Sequence, residues 1–389
     1  MIAPARQQES WYCEDRIEIE EISAIDDLEA LRFEWSCLWN RCPSATAFQS
    51  PEWLIPWWRH LGNGDLMVLA LRQEGRLIGL APFFIFISSL ETGGTRTLLF
   101  VGTGNSDYLD LLLDPDCGQG ECLHAIFNHL SEQSDRWDLC DLHQLPPDSP
   151  LLTQIRRAPP NVAQQVSGPA DLEIGITAGL ETCATGLRYS RLKLCLHEPC
   201  PSLTLPPTLK KLPDAIPGRQ LEKSHYYGRK LAKLGPTRLE AANKDNFREC
   251  LDALLRLHRA RWSAKGGAGL LTEAAIQHFH GEAAWALLDR GALRLFTLRL
   301  MDQIVGVLYG FVLRPRRACY YLSGFDPEFE KFSLGTLLIG HCIEEATREG
   351  AVGFDFLRGQ EAYKYHWGAK DRPTYRCWFR PEDLSPGKA

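Results

Sequence analysis

Tyr320-Tyr321-Leu322-Ser323-Gly324-Phe325-Asp326-Pro327, followed by Phe332-Ser333-Leu334-Gly335-Thr336-Leu337-Leu338, is the stretch on which the fold turns. A β-prone aromatic run meets a glycine and an Asp-Pro turn, and an apolar segment with helical spacing begins a few residues later. The pattern predicts a strand over 318–324, a loop, and a helix over 334–349. Free backbone N–H groups at a helix start, with Gly335 allowing close approach, make an anion site that needs no charged side chain. A plain turn with Ser333 as the helix cap is the competing reading.

Toward the C-terminus the chain reads Phe354-Asp355-Phe356-Leu357-Arg358-Gly359-Gln360-Glu361-Ala362-Tyr363-Lys364-Tyr365-His366-Trp367-Gly368. A strand over 353–357 with an embedded aspartate runs into a dense set of ionisable and aromatic groups. Such groups make directed hydrogen bonds and stacking contacts, which a solvated loop does not need. The alternative is a C-terminal flap packed on the sheet.

Working outward, the second half predicts helices over 220–234, 244–264 and 272–288, then a hairpin of strands 293–300 and 303–313. The first half has the same order. Asp26 caps a helix to Trp39, and Ser50-Pro51 opens another over 53–61. Strands follow at 66–73 and 76–87 around a Glu74-Gly75 turn, then at 97–101 and 108–113. A helix over 120–132 and a strand over 137–143 complete the unit. Two similar halves imply a structural duplication in an α/β protein, each half a mixed central sheet flanked by helices. The proline-rich middle, 145–218, also holds short strands at 172–176 and 192–196. The junction is expected there, dividing the chain into 1–175 and 176–389.

The 389 residues suit two domains rather than one core. A net charge of −6 does not point to DNA or an anionic membrane surface. The longest apolar run, Leu77–Leu90, contains Pro82 and is too short to span a bilayer. The opening residues are polar, with no apolar leader, and the thirteen cysteines are odd in number and scattered. A cytoplasmic protein with reduced thiols is expected. A zinc site from Cys117, Cys122, His124 and His129 lacks a second ligand pair. Gly102-x-Gly104 reads as a turn rather than a phosphate loop, because no helix follows directly. Arg229, Lys230 and Lys233 read as a solvated helix face, and Gly266–Leu271 as a loop able to cover a substrate.

Residues 294–368 resemble the GNAT-type acetyltransferases of the cellulose-biosynthesis (CelD-like) group, related to Fem-type double-GNAT transferases. The resemblance is carried by Tyr321 to Pro327, Ser333 to Leu338, Phe354 to Gly359, and Glu361-x-Tyr363-Lys364-x-x-Trp367-Gly368. It extends more loosely through Leu257-His258-x-x-Arg261-Trp262 and Phe48 to Trp53. It implies two GNAT-like lobes, with acetyl-CoA or another acyl-CoA as cosubstrate. The pantetheine would lie along Tyr320–Ser323, including Leu322, and the pyrophosphate over Ser333, Gly335 and Thr336. The chain departs from the family's Gln/Arg-x-x-Gly-x-Gly/Ala loop, since Phe332 and Leu337 hold its first and last positions. A Fem-type relative would draw on aminoacyl-tRNA instead, which the acidic total disfavours. A non-catalytic binding or assembly protein is the other alternative.

Attack of an amine or hydroxyl on a thioester needs a base, an oxyanion donor and an acid for the thiolate. The resemblance implies Tyr363 or Tyr365 as acid, and Asp355 or Glu361 as base, with His366 also in range. Backbone N–H groups near Leu322 would meet the oxyanion. Lys364, Arg358 and Trp367 would contact the acceptor, a small molecule or saccharide of the kind used in polysaccharide synthesis. Structural pairing of Asp355 with Arg358 or Lys364 competes with these roles.

Overall fold

The computed structural model describes residues 16–88, 94–157, 173–174, 192–264, 266–267, 269–313 and 316–384. β1 (Glu18–Ile22) precedes α1 (Ile25–Ala30), α2 (Arg32–Arg41) and α3 (Pro51–Leu61). Next come β2 (Asp65–Gln73), β3 (Arg76–Ile87), β4 (Arg96–Phe100), β5 (Leu112–Leu113), α4 (Gln119–Glu132) and β6 (Leu139–Leu145). α5 (Pro150–Arg157), β7 (Glu173–Ile174) and β8 (Lys193–Leu196) follow. The second half runs β9 (Cys200–Thr204), α6 (Leu212–Ala215), α7 (Gln220–Leu231), β10 (Thr237–Ala241), α8 (Phe247–Ser263) and α9 (Ala274–Asp289). It continues through β11 (Leu293–Leu300), β12 (Gln303–Leu313), β13 (Arg317–Phe325), α10 (Leu334–Arg348) and β14 (Gly353–Asp355). α11 (Ala362–His366), β15 (Lys370–Arg372) and β16 (Tyr375–Phe379) end the described chain.

Two sheets form, and their orders repeat each other. The first runs β1-β2-β3-β4-β6-β16-β8-β7 with β5 beside β3; the second runs β10-β11-β12-β13-β14-β9-β15. In each, antiparallel strands lead to one parallel pair, β4 with β6 and β13 with β14. Parallel neighbours need a crossover, which α4 and α10 supply. The expected pair of mixed sheets flanked by helices is what the chain builds. β8 and the last strand, β16, lie in the first sheet. Sheet membership therefore crosses 175/176, and we propose that position as a division in chain order only.

Several elements differ from expectation for local reasons. The helix expected over 26–39 is two helices meeting at Leu31. The strand expected over 108–113 shrinks to Leu112–Leu113, because Tyr108 adopts φ 69°, off the extended region. β9, β10, β15, β16, α5 and α11 were not anticipated; the four strands are five residues or shorter, too brief for periodicity to declare. The expected strand over 172–176 falls mostly outside the described residues. Glu74 and Gly75 both take positive φ, 52° and 76°, as a primed hairpin turn requires.

The lobes share one apolar core. Trp53 of α3 meets Phe279 of α9 edge-on at 4.9 Å and Tyr321 of β13 at 5.4 Å. Phe48 packs on Phe311 at 5.3 Å in the same layer. Separate cores lie under α4 in the first lobe and between α7, α10 and the second sheet. No disulfide joins any two of the eleven cysteines among the described residues. Among the described residues no helix is long and apolar enough to cross a membrane, and no group of three or more His, Cys, Asp or Glu is arranged to hold a metal.

Candidate active site

β13 and β14 pair only over Arg317–Cys319 against Gly353–Asp355. β13 runs on to Phe325, while the other chain turns away at Leu357, whose φ is 56°. From Tyr320 onward β13 therefore has no strand partner on that side among the described residues. A bulge sits at the same point: Tyr309 faces Leu322, Gly310 faces Tyr320, and Tyr321 is the extra residue. The bulge sends both Tyr321 and Leu322 into the interlobe core, leaving Tyr320 on the α10 face. Tyr321 Oη then donates to the Asn105 carbonyl at 2.7 Å.

The divergence opens a cavity of about 350 Å³ against the start of α10. Ser323, Ser333, Gly335, Thr336, Tyr363 and Trp367 are among its lining residues, so six positions selected from sequence do converge. Ser333 precedes α10 in a left-handed conformation, φ 46°, and its side chain makes no cap bond. The first N–H groups of α10 have no carbonyl one turn back within the helix, and their dipole end points to the cavity. An ideal Cβ on Gly335 would lie 3.3 Å from Phe325 Cε1, so the glycine keeps this wall open. Tyr320 and Ser323 share a 2.7 Å hydrogen bond, and the Tyr320 and Tyr363 rings meet edge-on at 6.3 Å. Burial, then the neighbouring Tyr320, pushes the Tyr363 phenol far above its usual range. It is a protonated donor at neutral pH.

The remaining selected residues lie elsewhere. Asp355 is fully buried between the lobes, accepting from Tyr108 Oη at 2.8 Å and from the Leu357 N–H at 2.8 Å. Burial raises its pKa against those two bonds. Arg358 Nε approaches Asp107 at 3.0 Å without hydrogen-bond alignment, and its guanidinium also donates to the Gly104 carbonyl. Lys364 is buried, with Nζ on the carbonyls of Leu357 at 3.1 Å, Arg358 at 2.6 Å and Gly359 at 3.0 Å. It also pairs with Glu361 at 2.9 Å, whose carboxylate is largely exposed. Leu322 turns into the interlobe core, so its side chain is not on the lining. The Gly102–Asn105 segment is a turn whose carbonyls clasp the second lobe.

Arg261 and Tyr320 also line the cavity, as do Glu330 and His366. Arg261 carried no role in the sequence reading. Its signal was the spacing His258-x-x-Arg261, which sets both side chains on one face of α8. Nothing in the sequence alone aims that face at β13.

Fold and cavity together define a tandem GNAT-like architecture, with the opening in the second lobe. Residues 219–365 match the family model described as the acetyltransferase (GNAT) domain. A comparison with curated proteins gives no match. Among solved structures, the chain is similar to FemX, with 11% identity over 92% of this chain and 96% of that one, TM-score 0.56. It is also similar to a conserved protein of unknown function from Bacteroides thetaiotaomicron VPI-5482, with 12% identity, 94% and 100% coverage, and TM-score 0.53. A third likeness is to the DUF2156 C-terminal domain of an Agrobacterium fabrum protein named as a lysylphosphatidylglycerol synthetase, with 13% identity, 91% and 92% coverage, and TM-score 0.52. At these identities the likeness is one of fold.

Proposed function

We propose that the chain is an acyltransferase that takes its acyl group from acetyl-CoA or another acyl-CoA and passes it to an amine or hydroxyl of a small or saccharide acceptor. The observation that carries this reading is the parting of β13 from β14 beside the start of α10. An extended pantetheine can pair with the free strand edge while its pyrophosphate meets helix N–H groups. The reading places the chain in the cytoplasm, with polysaccharide synthesis as its setting.

Direct transfer forms the acceptor–acyl bond and breaks the C–S bond, and the departing thiolate needs a proton. Tyr363, protonated and on the cavity wall, is the proposed acid. The unpaired backbone beyond Cys319 is the proposed source of an oxyanion donor. Among the base candidates, His366 lies on the lining. Asp355 is sealed by Tyr108, and Glu361 is tied to Lys364, so both fit better as supports of the loop that carries Tyr363. Lys364 and Arg358 act by the same logic, shaping that loop, while Trp367, on the lining, is the proposed acceptor contact. An aminoacyl-tRNA donor would need a cationic track for phosphates, and the net charge of −6 argues against it.

Calorimetry of the full chain with acetyl-CoA and CoA tests the reading. Saturable binding is expected; no heat at millimolar nucleotide sinks it in favour of a non-catalytic double-lobed protein. Thiol release on adding panels of amines and sugars then finds the acceptor.

A further inference from the structure

Arg261 stands on the cavity wall in the last turn of α8. Its Nη1 donates to Ser323 Oγ at 3.2 Å, and the guanidinium lies 4.3 Å from the Phe325 ring centroid. Ser323 is only 5% exposed and is itself held by Tyr320, so the fork has a fixed direction. Yet the charge is not balanced. Nε is buried and, among the described residues, has no hydrogen-bond partner. Among the described residues Arg261 forms no ion pair with a carboxylate, Glu330 on the same lining included. His258, one turn back, adds no negative charge: burial, then the Arg261 charge, lowers its pKa to about 4, leaving it neutral. The Phe325 ring separates Arg261 from Gly335, so the cation borders the positive end of α10.

A guanidinium is charged at every working pH, and a cation held in a recess without a counter-ion is costly. Its planar pair of donors matches the two oxygens of a carboxylate or phosphate better than any neutral group. We propose that Arg261, with the Ser323 hydroxyl beside it, is the cavity's seat for an anionic group of the bound ligand. The inference deepens the acyltransferase reading, on which it rests for the ligand's source: a donor phosphate or an acceptor carboxylate.

Calorimetry on the full chain tests this with four probes: CoA, the uncharged pantetheine, inorganic pyrophosphate and succinate. Arg261→Gln is expected to weaken pyrophosphate or succinate by roughly tenfold or more, as loss of charge-assisted hydrogen bonds does, and to leave pantetheine unchanged. Weakening of CoA together with pyrophosphate assigns the seat to a donor phosphate; weakening of succinate alone assigns it to an acceptor carboxylate. Arg261→Lys keeps the charge and loses the fork, and an intermediate loss of about threefold is expected. It carries the test if the glutamine variant does not fold. Unchanged anion affinities in the folded variant overturn the proposal, as does a parent protein that binds none of the three anions. A parent that ignores CoA but binds pyrophosphate or succinate through Arg261 removes the acyl-CoA reading and leaves the anion seat standing.

Discussion

Tyr108 Oη, in the first lobe, donates to Asp355 Oδ2, at the end of β14 in the second lobe, at 2.8 Å. Both side chains are fully buried, so the bond fixes the lobes where the second sheet begins to part. Tyr108→Phe keeps the ring, over which Arg372 sits at 4.8 Å, and removes only the donor. The variant should lose about 2 kcal/mol of stability in urea unfolding, the cost of leaving a buried carboxylate short of a hydrogen bond. A loss indistinguishable from zero means the bond does not hold the lobes.

Asp107 supplies a pH signature at the same junction. Burial raises its pKa to about 6, against a lowering by Arg358. The folded state therefore holds this proton more tightly than the unfolded state, whose value is near 3.8. Stability from the site is present below that unfolded value and is lost as pH rises through about 6. The stability of the parent minus that of Asp107→Asn should thus fall between pH 4 and pH 6.5, by about 3 kcal/mol at the limit. A flat or rising difference across that range contradicts the assignment.

Two glycines of the site answer differently to alanine. An ideal Cβ on Gly324 would lie 2.5 Å from the His258 backbone nitrogen and 2.8 Å from the Leu257 carbonyl carbon, so α8 must move. Gly324→Ala should cost about 2–3 kcal/mol by overpacking. At Gly335 the nearest atom is a Phe325 ring carbon at 3.3 Å, which can yield, and alanine favours the helix. Gly335→Ala should leave thermal stability unchanged or slightly raised while weakening acetyl-CoA binding. Equal effects of the two changes on the melting temperature would count against this geometry.

Lys364 ties the loop after β14 by its three carbonyl contacts. Lys364→Met fills similar space and orphans those acceptors, at an expected cost of about 2–4 kcal/mol. Hydrogen exchange of residues 357–361 should accelerate more than that of α4. Uniform exchange rates would show that the loop does not depend on the ammonium.

Tyr363→Phe separates chemistry from binding. The phenol is the proposed proton donor, and its pKa is raised, so the parent's turnover should lose no acid function on the alkaline side near neutrality. The variant should keep its acetyl-CoA affinity and lose about a hundredfold in kcat, measured by thiol release. Unchanged turnover moves the acid elsewhere.

Much of the architecture was legible in residue order. The hairpins 65–87 and 293–313 declare themselves by a glycine turn or by strand length, and α10 by its apolar periodicity behind Ser333 and Gly335. These signals are local, because turn conformation and amphipathic period are set by neighbours in the chain. The duplicated order of elements follows from them. The cluster at 354–368 also marked the right region, and Tyr363 and Trp367 do line the cavity.

Residue types alone could not separate wall from scaffold. Lys364, Arg358 and Asp355 have the chemistry of a site, yet tertiary contacts engage them with loop carbonyls, Asp107 and Tyr108. Arg261 has no role in the residue order by itself; the packing of α8 on β13 across Gly324 is what aims it into the opening. The return of β16 to the first sheet was equally hidden. Local sequence determines which elements form and where turns fall. Which charges are paired, which backbone is left free, and so where a ligand can bind, depends on contacts between residues tens to hundreds apart, which only the packed chain brings together.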